Sequence, residues 1–202
     1  MQISPTRSAL LEAKDERRVM DEGYRFLDEK RLLLAAEIIK TFNKRNQLKT
    51  EYDQLFNKAQ KAMAAAVGRH GLHGLQLQPA TKRHSPSISS KTRSFFGVPL
   101  VESSELTESA APETYLGANP SPESKQCRKI FTQLLETSIT MAELSNNLQR
   151  LLLEYRRTDR RARALEDVIL PELNDGIYHI DNQLEEMDQE ESVRVRLGRK
   201  AF

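Results

Sequence analysis

Apolar side chains recur along the first third of the chain at alternating steps of three and four. Starting at Leu10 the seam passes through Ala13, Arg17, Met20, Tyr24, Leu27, Arg31, Leu34, Ile38, Thr41, Arg45, Leu48, Tyr52, Leu55, Ala59 and Ala62 without a slip. A 3-4 alternation sustained over many heptads predicts a helix whose narrow stripe packs against a second helix. The segment has no proline after Pro5 and one glycine, Gly23, before Val67. Ser4 followed by Pro5 suits a helix start, with Ser4 as N-cap and proline at the first helical position. The predicted element is a coiled-coil helix over 4–67, about 90 Å long at 1.5 Å per residue. Ala62, Ala64, Ala65 and Ala66 close it with small side chains that permit close approach of a partner backbone.

A second seam occupies the last third. It reads Ile130, Leu134, Thr137, Met141, Leu144, Leu148, Leu151, Tyr155, Thr158, Ala162, Leu165 and Ile169. The step then becomes four twice, through Leu173 to Ile177, before Ile180, Leu184 and Met187 resume the alternation. Extra steps of four are a stutter, which locally unwinds a left-handed supercoil. Pro171 sits in the stutter, and an interior proline removes a backbone donor and kinks a helix. A bend or loosened turn is expected near Asp167 to Leu170, within a helix over 122–195 followed by a basic tail, 196–202.

Between the seams, residues 68–121 carry closely spaced Gly and Pro and Ser-rich stretches, a spacing that predicts loop. One island, Arg93 to Glu102 (RSFFGVPLVE), is rich in β-formers around Gly97 and Pro99 and predicts a short hairpin near 93–102. Two seams of similar length joined by a long connection fold back most simply as an antiparallel pair, with parallel homodimers of each helix as the competing arrangement. The fold class is therefore all-α: a long antiparallel two-helix coiled coil formed by the N- and C-terminal helices, with a loop-rich middle containing a short β-hairpin.

Composition sharpens this picture. The 202 residues are 38% hydrophobic, 30% charged and 6% aromatic, with no Trp. Such a chain is either disordered or built of helices that each bury only a stripe, and the periodicity favours helices. Lys and Arg (31) nearly balance Asp and Glu (29), which argues against a nucleic-acid binder. The lone Cys127 suits a reducing compartment. No apolar run approaches a bilayer span and no secretory signal opens the chain, so a soluble, cytoplasmic protein without direct membrane insertion is expected.

Enzymatic motifs are absent: no P-loop, no GxSxG, no HExxH, no paired CxxC. His70 and His73, in GRHGLHG, read as a solvated turn rather than a metal pair. Neither cofactor nor metal is expected. The charge pattern is more informative. Arg17, Arg31 and Arg45 interrupt the first seam and must snorkel, pair with acids on the other helix, or face another protein. The cluster Arg156, Arg157, Arg160, Arg161 and Arg163 reads either as a solvated face or as a positive collar for acidic partner surfaces. An acidic run, Glu185 to Glu191, precedes Arg194, Arg196, Arg199 and Lys200, an order that complements a helix C-terminus.

PTRSALLEAK (Pro5 to Lys14) with GYRFLDEKR (Gly23 to Arg31) resembles the N-terminal motif of the V/A-type ATPase D-subunit family. RRARALEDVILPEL (Arg160 to Leu173), continuing into IYHIDNQLEEMDQEE, resembles its C-terminal motif, with Arg160, Arg161, Ala164, Leu165, Glu166 and Pro171 on pattern positions. Arg163 departs from the Asn often found there. FFGVPLV (Phe95, Phe96, Gly97, Val98, Pro99 and onward) resembles the family's mid-chain hairpin. The resemblance implies a non-catalytic rotor shaft, peripheral to a membrane as part of a membrane-attached complex. Its partners would be the A and B subunits, whose hexamer cavity receives the shaft, the small F subunit, and the C (or d) subunit on the rotor ring. It further implies cavity contacts at Pro5, Thr6, Arg7, Arg156, Arg157, Arg160, Arg161, Arg194, Arg196 and Arg199, and a helix bend at Pro171. A prefoldin-like chaperone or tethering coiled coil is the alternative reading.

Overall fold

A computed structural model describes residues 6–76, 90–103 and 121–200. In chain order the elements are α1 (Arg7–Gln76), β1 (Ser90–Phe95), β2 (Val98–Ser103), α2 (Pro122–Ala164), a π turn (Leu165–Ile169) and α3 (Leu170–Lys200). The fold is all-α with a two-stranded hairpin, and the long helices pack against one another. Their described residues form two compact units, one drawn from Met1–Leu34 and Tyr155–Phe202, the other from Ala35–Glu154.

The seams read from the sequence are the packed faces. Along α1 every seam position from Leu10 to Ala62 is buried or half-buried except Arg17, which is exposed. In the first unit Leu34, Thr158, Ala162 and Ile180 are buried. In the second, Thr41, Ala59, Ala66, Leu134 and Leu151 are buried. Ala66 and, in part, Ala62 allow the close approach expected of small residues, whereas Ala64 and Ala65 point to solvent. The pairing in the second unit is antiparallel and unslipped. The nineteen residues from Arg45 to Met63 on α1 run beside the nineteen from Ser145 back to Cys127 on α2.

The helix ends differ from the sequence reading. Ser4 and Pro5 lie outside the described residues, and the cap of α1 is Thr6. Its hydroxyl accepts the Ala9 N–H at 3.2 Å and its carbonyl accepts the Leu10 N–H at 3.0 Å. At the other end α1 runs past Val67 to Gln76, with a kink at Gly71 (φ 68°, ψ 167°), a backbone conformation that glycine adopts without penalty. Gly68 and Gly74 thus sit within helix, because Arg69 and His70 are held across the pair. Arg69 Nη1 reaches Glu123 Oε1 at 2.7 Å, and His70 Nε2 lies 2.6 Å from Ser121 Oγ. Ser121 caps α2, its hydroxyl accepting the Ser124 N–H at 3.2 Å. The residues read as a basic tail continue α3 as far as Lys200.

The stutter takes a specific form. From Leu165 the seam makes three steps of four (Ile169, Leu173, Ile177) where strict alternation would make four, three, four, a surplus of one residue. The backbone absorbs it in the π turn, where the Leu170 N–H bonds the carbonyl of Leu165 rather than that of Glu166. Half-burial of Leu173 and Ile177 and burial of Ile180 show that the seam regains its face beyond the turn. Pro171 follows at once, exposed, at a position where an uninterrupted α-helix would need its missing N–H.

Candidate partner-binding surfaces

In the first unit a charged network replaces hydrophobic packing at one seam position. Arg31 places Nη1 3.0 Å from Asp159 Oδ1 across the pair and Nη2 2.6 Å from Asp28 Oδ1 on its own helix. Asp159 uses its second oxygen to accept from Arg163 Nε at 3.2 Å. The side chains of Arg31 and Asp159 are only 27% and 19% exposed, so the pair is shielded from screening. The Asp159 hydrogen bond, above all, raises the guanidinium pKa further above its ordinary value. One turn away Tyr24 sits against Glu166. Desolvation, then the Glu166 hydrogen bond and charge, raise the phenol above its ordinary 10.0. Of the three seam arginines, then, Arg31 pairs with an acid of the other helix, Arg45 donates through Nε to Ser145 Oγ at 3.1 Å, and Arg17 turns to solvent.

That network sorts the arginine cluster. Arg163 is committed to Asp159, a role that its departure from the expected Asn did not suggest. Arg156, Arg157, Arg160 and Arg161 are exposed; Arg156 and Arg160 lie on the face of α2 opposite the buried Thr158 and Ala162, and Arg157 and Arg161 flank that buried stripe. Arg160 Nε donates to the Arg156 carbonyl at 3.3 Å, which stiffens one side chain of the face. The start of α1 meets α3 where Arg7 Nη2 approaches Asp188 Oδ2 at 3.2 Å. With side chains 81% and 62% exposed, this contact marks register more than it adds stability. Arg194 and Arg196 are exposed on α3, and Pro5 and the side chain of Arg199 lie outside the described residues.

In the second unit the hairpin is a built feature. β1 and β2 pair antiparallel from Ser90↔Ser103 to Phe95↔Val98. The two-residue turn is Phe96 (φ 48°) and Gly97 (φ 84°), the left-handed pair that matches the twist of a tight hairpin. Val98 and Leu100 are buried, while Phe95 and Phe96 stack edge to face at 5.0 Å with Phe96 exposed at the tip. Asn147 of α2 stands in for a third strand. Its Oδ1 accepts the Val101 N–H at 2.8 Å and its Nδ2 donates to the Val101 carbonyl at 2.7 Å. Arg150 Nη1 donates to the Pro99 carbonyl at 2.7 Å. Sequence reasoning found the hairpin but missed this clamp. The signal available was a lone Asn147 beside Asn146, polar residues flanked by Leu144 and Leu148 on an apolar helix face. The same unit exposes Phe42, Phe56 and Met63 on α1 and Phe131 and Leu135 on α2.

The family model described as the ATP synthase D subunit matches residues 9–200, across both terminal helices and the hairpin. The chain belongs to the ATP synthase D-subunit family. It is 31% identical over 196 residues to the A-type ATP synthase D subunit of Methanoregula boonei, an alignment covering 96% of this chain and 94% of that one. It is 30% identical to the Methanosarcina mazei protein over the same shares, and 29% identical to the Pyrococcus horikoshii protein over 97% of this chain and 92% of the relative. In this family member no helix among the described residues is long and apolar enough to cross a membrane. Among the described residues no cluster of three His, Cys, Asp or Glu side chains stands ready for a metal. His70 is engaged with Ser121, and His73 is exposed. Cys127 lies 3.9 Å from Met63 Sδ, and burial pushes its thiol pKa up, away from nucleophilic thiolate.

Proposed function

We propose that this chain is the non-catalytic central rotor shaft of a V/A-type ATPase or ATP synthase, carrying torque between the catalytic A/B hexamer and the membrane ion-translocating rotor ring. The observation that carries the reading is the family match over residues 9–200, which spans both members of the helical pair. The packing supplies a physical basis. A shaft needs two helices that cannot slide past one another, and the partly buried Arg31–Asp159 pair resists sliding because displacement would strand both charges.

In this reading the first unit turns inside the hexamer. Arg7, Arg156, Arg157, Arg160, Arg161, Arg194, Arg196 and Arg199 make electrostatic contacts that slide rather than lock, with Pro5 and Thr6 adding neutral contacts beside Arg7. The second unit carries the small F subunit on its exposed apolar residues, and its segment where Arg69 and His70 meet Glu123 and Ser121 seats in the C (or d) subunit. The protein works on the cytoplasmic side, peripheral to the membrane. Pro171, beside the π turn, bends the shaft off axis.

Co-purification of the tagged full-length chain tests the assignment. A nucleotide-binding hexamer should come down with it, whereas a chaperone or tether would bring down other proteins. Within the reconstituted complex, Arg156→Glu with Arg160→Glu and Arg161→Glu should lower ATP-driven ion pumping while circular dichroism stays unchanged. Unaltered coupled turnover would refute the contact.

A further inference from the structure

We propose that the π turn Leu165–Ile169 is a one-residue dislocation in the helical pair, held in place by Pro171, and that it is where the first unit yields to twist. The sequence carries one residue too many between Leu165 and Ile177 for unbroken heptads, and the backbone stores that residue in a single turn. No other π turn occurs among the described residues. Pro171 fixes the defect because it supplies no amide to the turn behind it. After the Leu170 N–H has bonded the Leu165 carbonyl, the next rung of the ladder is missing in either helical geometry.

The surroundings concentrate motion there. None of the five turn residues is fully buried, with Leu165 and Ile169 half-buried and the other three exposed, so rotation about the helix axis is opposed less here than at the buried positions on either side. On one side the helix is anchored by buried Thr158 and Ala162 and by the Asp159–Arg31 bridge. On the other it is anchored by buried Ile180 and by Asp188 beside Arg7. Between these anchors the hydrogen-bond ladder is loosened and interrupted. Glu166, against Tyr24, ties the turn to α1 and keeps the defect from opening fully. A soft segment between fixed ends takes up most of an applied twist. This second half of the proposal rests on the shaft reading; the first half does not.

The decisive variant removes the surplus. Deleting Glu172 in the full-length chain together with Pro171→Ala restores steps of four, three, four. Shortening the helix here should raise Tm by about 3–6 °C and slow amide exchange over the residues retained between 170 and 174 by at least about tenfold. Deleting Glu22 from α1, which holds no surplus, should lower Tm. If the Glu172 deletion lowers Tm as the Glu22 deletion does, there is no dislocation. Pro171→Ala alone should leave fast exchange at 165–169, and protection there would assign the loosened turn to proline rather than to register. In the assembled complex, angular fluctuations of a bead on the shaft should narrow with the repaired chain. Unchanged fluctuations overturn the twist role. Failure of the parent chain to assemble with a hexamer overturns the shaft reading and the twist role with it, and leaves the dislocation to stand on Tm and exchange.

Discussion

Asp159 offers the most direct test of how the helical pair is held. It accepts from Arg31 across the pair at 3.0 Å and from Arg163 at 3.2 Å, with its side chain 19% exposed. Removing one partner of a fully buried pair costs about 3–5 kcal/mol, while an exposed pair contributes about 0.2–1 kcal/mol. Asp159 lies nearer the buried limit, but its loss leaves Arg31 a second acid, Asp28, at 2.6 Å. Asp159→Ala should therefore cost about 2 kcal/mol and lower Tm by about 4–8 °C for a chain of this size. The asymmetry is the sharper expectation. Arg31→Met combined with Asp159→Leu fills the same seam with apolar side chains and should fall within about 1 kcal/mol of the parent. Arg163 would then lose its partner, but it is mostly exposed and tolerates the loss. Urea unfolding of the four chains of this double-mutant cycle measures the coupling. The reasoning fails if Asp159→Ala costs less than about 0.5 kcal/mol, or if the double variant costs the sum of the two single changes.

Three further outcomes follow from the same geometry. Asn147→Leu strands the Val101 N–H and carbonyl and should cost about 1–3 kcal/mol, with amide exchange rising in β1 and β2 before it rises in α2. Gly97→Val places a branched side chain at φ 84° and should weaken the hairpin by about 1–2 kcal/mol, read as loss of hairpin cross-peaks while helical circular dichroism is kept. Glu123 is held below its ordinary carboxyl pKa of 4.5, chiefly by the hydrogen bond to its own backbone amide, with Arg69 and Ser121 adding to it. Its folded pKa is the lower one, so its contribution is present above pH 4.5 and disappears as pH falls through the folded value. A Tm-versus-pH profile from pH 6 downward should show that loss, and Arg69→Gln should shrink it; an unchanged profile would count against the bridge.

Both seams were legible in the sequence because a long helix buries one narrow stripe, and the 3-4 spacing of Leu34, Thr41, Leu134 and Leu151 is the direct imprint of that stripe. The hairpin was legible because Phe-Gly between β-forming residues is local turn chemistry. The surplus residue near Pro171 was legible as a break in phase. The sequence could not say whether that break would unwind the supercoil over several turns or collect into one π turn. That choice depends on how firmly the flanking seams are anchored, by Thr158 and Ala162 on one side and Ile180 on the other. Nor could it choose among three fates for the seam arginines, because spacing does not reveal what lies opposite. Only the antiparallel register set Asp159 across from Arg31 and Ser145 across from Arg45, and left Arg17 in solvent. The Asn147 clamp and the continuation of α1 past Gly68 were decided the same way, by partners more than forty residues distant along the chain. Local pattern determines which face of each helix is apolar. Which polar groups are satisfied, and where each helix ends, is decided by what the fold sets opposite them.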